Sequence, residues 1–313
     1  MLEIFIDDRA GGLERRDGAE DGCWISLVAP DADELAMLEG LGIPRSLLDH
    51  VRDPDEHPRV EHDGGALLVV LRHPSESAAS GAGAAPFETA PLSIIVTSRY
   101  VVTIAPDARP FVAELQKHAA RTAAISTRQP MRFLLQFFAR IAEEFLECMR
   151  RIDKEVERLE DELQRSLRNE EVLGLLRCQK SLTYFRTSIG ANELVLERLQ
   201  GLQLPGLGVD PEQLQDVRVE VRQAMAMVEI SADILSQMMD AFASIVSNNL
   251  NAVMKVLTSV TILLAVPSLI ASLYGMNVGL PGARSAAAFA GILLVCIVLA
   301  GGLFVLFRRR NWL

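Results

Sequence analysis

Two stretches near the C-terminal end carry no charged side chain: residues 256–274 and 286–307. Each is long enough for the ~20 residues that a helix needs to cross a bilayer core. The first of them is not uniformly apolar. Stepping alternately by three and four from Asp233, one meets Gln237, Asp240, Ser244, Ser247, Asn251, Met254, Thr258, Thr261, Ala265, Ser268 and Ser272. That spacing keeps to one face of an α-helix. The face is small or polar almost throughout, while Val256, Leu257, Ile262, Leu263, Leu264, Leu269 and Ile270 occupy the same turns. At ~1.5 Å per residue the stripe runs roughly 60 Å along one helix, from a charged section into an uncharged one.

Upstream, apolar residues at helical spacing predict three more segments. One starts at Pro130, suited to a first turn, and runs through Phe133, Phe137, Ile141, Phe145, Met149, Ile152, Val156 and Leu159. Its opposite face is acidic, with Glu143, Glu144, Glu147, Asp153, Glu157, Glu160, Asp161 and Glu162. A second spans 170–199, and the two form a hairpin. After a break over 201–208, Asp210 caps and Pro211 opens a helix predicted to run unbroken to Gly275. Its packing seam is Leu214, Val217, Val221, Ala224, Val228, Leu235, Met238, Phe242 and Ile245, on a different face from the polar stripe.

The first hundred residues alternate between strand and helix signals. Strands are predicted at 2–6, 23–28, 59–62, 66–72, 92–96 and 100–104. Asp31 or Asp33 caps one helix, Ile43-Pro44 opens a second through Val51, and Asp63-Gly64-Gly65 turns a strand pair. Residues 75–86 read as a loop rich in Ser, Ala and Gly. The fold class is therefore α+β: an antiparallel-rich sheet with helices, then long helices, then two transmembrane helices. The expected organisation is an α/β domain over 1–128, a helical region over 129–255 that includes a stalk, spans at 256–274 and 286–307 around a loop at 275–285, and a basic tail at 308–313.

Composition narrows the function. The formal charge of −10 argues against nucleic acid as a partner. Lys255 precedes the first span and Arg308, Arg309 and Arg310 follow the second, so the positive-inside rule places both termini in the cytoplasm. The N-terminus lacks a basic start and a long apolar core, and no signal peptide is expected. Cys23, Cys148, Cys178 and Cys296 form no CxxC and read as small buried hydrophobes. His57 and His62 could meet across a bend, yet solvated histidines are the default. No nucleophile–base pair or phosphate loop appears, which argues against an enzyme.

A polar stripe inside lipid needs a reason, because an unsatisfied polar group there costs several kcal/mol. It is either helix–helix glue or the lining of a water-filled pore. A packing motif needs a few turns; this stripe continues out of the membrane, which favours the pore. One stripe per chain cannot enclose a channel, so a homo-oligomer follows.

The run Asn251-Ala252-Val253-Met254-Lys255-Val256-Leu257-Thr258, then Pro267, then Tyr274-Gly275-Met276-Asn277, resembles the CorA family of divalent-cation transporters. So does the order Trp24-Ile25-Ser26-Leu27, Gly42-Ile43-Pro44, Pro58-Arg59-Val60-Glu61 and Pro91-Leu92-Ser93-Ile94. The resemblance implies a funnel-shaped homopentamer in a bacterial-type inner membrane, carrying Mg2+, Co2+ or Ni2+, with no cofactor beyond Mg2+ as substrate and regulatory ligand. It implies a selectivity filter at Gly275, Met276 and Asn277. It places Asn251, Met254, Leu257 and Ser268 where the family's pore is lined or narrowed, and Ala265 where many members carry Met. It assigns a regulatory cation to Asp216 and Asp240, and a basic ring at the inner mouth to Lys255 and Arg308–Arg310, which also suits lipid phosphates. After Asn277 this chain has Val278-Gly279-Leu280-Pro281-Gly282-Ala283-Arg284 in place of the aromatic and Met-Pro-Glu of many members. Such a loop resembles the zinc-transporting ZntB branch and keeps a Zn2+ transporter, proton-coupled or not, as an alternative. A membrane-anchored coiled-coil scaffold is the other, and it leaves the polar stripe unexplained.

Overall fold

The computed structural model describes residues 1–7, 13–77, 83–107, 127–165, 169–202, 210–276, 278–279 and 286–312. It divides into two compact units, Met1–Gln237 and Met238–Leu313.

The first unit is built on a sheet of strands β1 (Leu2–Asp7), β2 (Leu13–Arg16), β3 (Cys23–Val28), β4 (Arg59–Asp63), β5 (Ala66–Glu76), β6 (Phe87–Val96) and β7 (Tyr100–Ala105). Their order is β2-β1-β3-β7-β6-β5-β4. Every neighbouring pair is antiparallel except β3 and β7, which run parallel with Trp24 opposite Val101. β2 carries Leu13-Glu14-Arg15-Arg16 on an edge, a strand whose sequence gives no apolar alternation. The turn between β4 and β5 falls at Gly64 and Gly65, both at positive φ, as a two-residue hairpin of this hand requires.

Both faces of the sheet are covered. On one, Ile4, Ile25, Leu27, Leu68, Val70, Val102 and Ile104 pack against Leu38, Leu47, Leu48 and Val51. These last residues belong to α1 (Ala32–Gly40) and the segment after it. Asp31 caps α1: its carboxylate accepts from the Glu34 amide at 2.8 Å, and the Glu34 side chain accepts from the Asp31 amide. The second helix expected over 43–51 is only a single 3-10 turn, Arg45–Leu47, followed by turns. Its apolar residues are buried all the same.

On the other face, the α2–α3 hairpin, Pro130–Arg165 and Asn169–Gly201, lies on β5 and β6. Trp24 is fully buried, donates its indole N–H to Thr103 Oγ1 at 2.9 Å, and meets Phe133 and Phe137 edge-on. β5 and β6 outrun their neighbours: β4 stops pairing at Arg59 opposite Val70, and β7 at Ile104 opposite Ser93. The overhang would leave strand edges bare, and α3 satisfies them. The Arg72 amide donates to Asn192 Oδ1 at 2.9 Å and Asn192 Nδ2 donates to the Arg72 carbonyl at 2.7 Å. Ser181 does the same for Phe87, accepting at 3.0 Å and donating at 2.8 Å. Ser188 adds a 2.9 Å bond to Thr89.

α4 runs from Pro211 to Tyr274, with Asp210 accepting from the Glu212 amide at its start. Its seam is buried at Leu214, Val217, Val221, Ala224, Val228 and Leu235. The seam fades beyond that: Met238 and Phe242 are half-buried and Ile245 is 46% exposed. The second unit holds the rest of α4, then α5 (Ala286–Arg309).

Candidate functional site

Beyond Phe242 in the second unit, the less exposed positions of α4 are Ser259, Ile262, Leu263, Val266, Pro267 and Ile270. On α5 they are Ile292, Cys296, Ala300, Leu303 and Phe307. Both sets recur at threes and fours, so each is one stripe, and two such stripes in one compact unit cover each other. Ser259 and Phe307, at 0% and 8% exposure, are its most hidden side chains among the described residues. The second helix therefore takes up one face of α4, and that face is not the polar one. At ~100° per residue the centre of the polar stripe lies roughly 140° around the helix from the face that meets α5.

The stripe itself is open along its length. Asp240, Ser244, Ser247, Asn251, Met254, Leu257, Thr258, Thr261, Ala265, Ser268 and Ser272 are all exposed. Leu257 sits at the edge of the stripe, beside the turn that carries Thr261. The hydroxyls are oriented by their own helix: Thr261 donates to the Leu257 carbonyl at 2.8 Å and Ser268 to the Leu264 carbonyl at 2.8 Å. With the proton committed to the backbone, each oxygen presents lone pairs outward. Such a surface accepts hydrogen bonds, and the water shell of a cation donates them.

The helix ends where the signature begins. The Gly275 amide donates to the Ala271 carbonyl at 3.0 Å, and Gly275 and Met276 are exposed. Asn277 lies outside the described residues, as does the loop over 280–285. At the other end, Lys255, Arg308, Arg309 and Arg310 are exposed. α5 closes there with a Schellman arrangement. Asn311 adopts a positive φ of 53°, the Asn311 amide donates to Arg308, and the Trp312 amide donates to Phe307 at 3.0 Å. The Trp312 ring then stacks on Phe307 at 5.7 Å between centroids.

Asp216 is exposed on α4 in the first unit, and Asp240 on α4 in the second. Among the described residues, no group of three or more His, Cys, Asp or Glu side chains is close enough to hold a metal ion. His57 and His62 form no such group. The acidic face of α2 is only partly a solvated one. Arg158 pairs with Glu155 and Glu162 at 2.6 Å, and Arg140 with Glu143 and Glu147. Asp153, however, turns inward to reach Ser231 on α4, and burial raises its pKa. Glu220 on α4 is raised likewise, by burial and then by Glu143 and Asp216. Burial pushes the Cys148 thiol up to about 12 and the Cys178 thiol to about 11, so both behave as small hydrophobes.

Sequence reasoning missed Ser259, Asn192 and Trp312. Ser259 sits among apolar neighbours one residue off the polar stripe. Asn192 has its partner at Arg72, far away in sequence. The signal for Trp312 was present, an Asn followed by an aromatic just after a helix.

The fold is a mixed sheet, a long helical hairpin and two C-terminal apolar helices long enough to cross a membrane, the first with an exposed polar stripe. Residues 19–309 match the model of a family described as CorA-like Mg2+ transporter protein, and the chain belongs to the CorA family. It is 30% identical over 301 residues to a cobalt/magnesium transport protein CorA of Methanocaldococcus jannaschii, covering 93% of this chain and 91% of that one. A Thermotoga maritima protein of the same description is 24% identical over 297 residues, covering 93% and 83%. The complete structure of a CorA magnesium transporter from Methanocaldococcus jannaschii superposes with a TM-score of 0.86 at 26% identity, covering 100% of this chain and 99% of that one.

Proposed function

We propose that copies of α4 enclose a wet pore through which hydrated Mg2+, and also Co2+ or Ni2+, crosses the inner membrane, with both termini in the cytoplasm. The observation that carries this reading is the polar stripe: it is exposed throughout and lies on a different face of α4 from the less exposed stripe of Ser259, Ile262, Leu263, Val266, Pro267 and Ile270. Five copies are the number expected for the family. Mg2+ holds its waters tightly, and neutral oxygens at Asn251, Thr258, Thr261, Ser268 and Ser272 contact that shell without stripping it. A ring of Asn277 amides with Gly275 carbonyls selects at the outer mouth. Lys255 and Arg308–Arg310 ring the inner mouth and bind lipid phosphates. Asp216 and Asp240 hold a regulatory cation with groups from neighbouring chains, since one chain offers no complete ligand set among its described residues.

The test is flux of Mg2+, Co2+, Ni2+ and Zn2+ into liposomes containing the purified protein, with and without a pH gradient. The expected result is Mg2+ entry independent of the gradient, lost in Asn277→Ala while assembly is retained. Zn2+ flux alone, driven by the gradient, would move the assignment to the ZntB-like alternative. No flux of any of the four would leave a scaffold.

A further inference from the structure

Helix α3 has two polar lines on different faces. Ser181, Ser188 and Asn192 share one face and bind Phe87, Thr89 and Arg72 on the sheet. Arg186, Glu193 and Glu197 share another, roughly 140° away at ~100° per residue. They meet α4: Glu193 with Arg222 at 2.7 Å, Glu197 with Arg222 at 3.7 Å and Arg218 at 3.8 Å, and Arg186 with Glu229 at 3.5 Å. The two joints differ in kind. On the sheet side, Ser181, Ser188 and Asn192 are buried, and breaking the bonds of Ser181 and Asn192 would strand backbone groups away from water. On the α4 side most of the charged groups are half-exposed, screened and cheap to exchange.

The ionic joint also has the spacing of a ladder. Arg218 and Arg222 lie one turn apart on α4, and Glu193 and Glu197 one turn apart on α3. Arg222 already touches both carboxylates. Arg218 reaches Glu197 only at 3.8 Å, and its Nε is buried without a hydrogen-bond partner. A slide of α4 by one turn in either direction keeps one Arg–Glu pair, as Arg222–Glu197 or as Arg218–Glu193. The sheet joint offers no second register, because Asn192 serves both backbone groups of Arg72 and Ser181 both backbone groups of Phe87.

We infer that α3 is fixed to the sheet and that α4 slides along it, with Glu193, Glu197 and Arg222 as positioning residues that couple the cytoplasmic domain to the helix bearing the polar stripe. The inference rests on the regulatory cation proposed at Asp216 and Asp240, taken as internal Mg2+ that closes the pore. Interfaces that shear in this way are built from packed helices with two discrete arrangements.

The experiment measures Mg2+ flux in proteoliposomes against internal Mg2+ concentration, using the full chain. In E193C/R222C a short bis-thiosulfonate reagent ties α3 to α4; in T89C/S188C it ties α3 to the sheet. The first bridge should abolish the dependence on internal Mg2+, and reductant should restore it. The second should shift the half-inhibiting concentration by less than about twofold, below the range of usual coupling factors. Should E193C/R222C fail to assemble, R222E tests the same contact. It should shift half-inhibition by about fivefold or more, and E193R/E197R/R218E/R222E, which reverses every charge of the ladder, should return it. An α3–α4 bridge or an R222E variant with unchanged inhibition overturns the sliding joint. Unmodified protein showing flux without inhibition by internal Mg2+ overturns the gating reading itself, and the joint with it.

Discussion

Asn192 shows how much one buried amide can hold. Its carbonyl oxygen and its amide nitrogen each serve one backbone group of Arg72, and it is 3% exposed. Asn192→Ala removes both partners at once. Each orphaned buried group costs about 1–3 kcal/mol, so a clear drop in thermal midpoint of the detergent-solubilised chain is expected. Ser181→Ala should cost a similar amount, because one hydroxyl serves both groups of Phe87. Asp153 makes the opposite case. Burial raises its pKa while the Ser231 hydroxyl lowers it only in part. The native state then binds the proton more tightly than the unfolded chain, so this group's contribution to stability falls as pH rises from the ordinary Asp range through the raised value. Asp153→Asn should raise the midpoint at neutral pH and lose that advantage as the pH approaches 4; an equal gain at both would rule out the titration. The polar stripe was legible because a helix brings every third or fourth residue to one face, a periodic property of the sequence itself. Asn192 and Ser181 were not, because what they satisfy lies 120 and 94 residues away and no local pattern marks it.

At the scale of elements, the sequence marks ends better than middles. Pro130, Asp210 and Pro211 fix two helix starts because a cap or a first-turn proline is a local device. The central strands β5 and β6 read as continuous apolar runs since both faces are covered, so their length past Arg72 and before Leu92 depends on helix α3 and could not be seen locally. The 3-10 turn at Arg45–Leu47 replaced a longer helix because the apolar residues only had to reach the core, which a turn achieves. The end of α5 carries its own prediction. The Schellman closure folds Trp312, two residues after the last of three arginines, back onto Phe307, and an indole beside a cationic cluster favours the headgroup level of a bilayer. Tryptophan emission in vesicles should be quenched by lipids brominated near the headgroup, and the quenchable fraction should vanish in Trp312→Phe. Trp24, fully buried in the sheet domain, supplies the unquenched background. Equal quenching in the variant would place the tail away from the membrane surface.

The whole molecule adds a constraint that neither residues nor elements carry alone. A single chain presents a polar stripe to nothing, and its described acids gather no metal. Its formal charge is −10, so copies brought together repel through their acidic surfaces unless cations intervene. A cation shared between chains offsets that repulsion only while internal Mg2+ is high; when it leaves, like charges push the copies apart and shift the population toward a conducting arrangement. Asp216 and Asp240 suit this role by exposure, and Asp216, after burial and Glu143, helps to raise the pKa of Glu220. Replacing Asp216 by Ala should leave Mg2+ flux at low internal Mg2+ near the unmodified level, since this residue lies outside both the polar stripe and the apolar spans. The concentration of internal Mg2+ that halves the flux should rise by about tenfold, the weight of roughly 1.4 kcal/mol in a two-state equilibrium. The sign matters as much as the size: losing acids from a purely attractive interior site would lower conduction at every concentration, whereas losing them from a closing contact lowers only the response. Flux that still falls at the same internal Mg2+ would show that the chains are held shut by other groups.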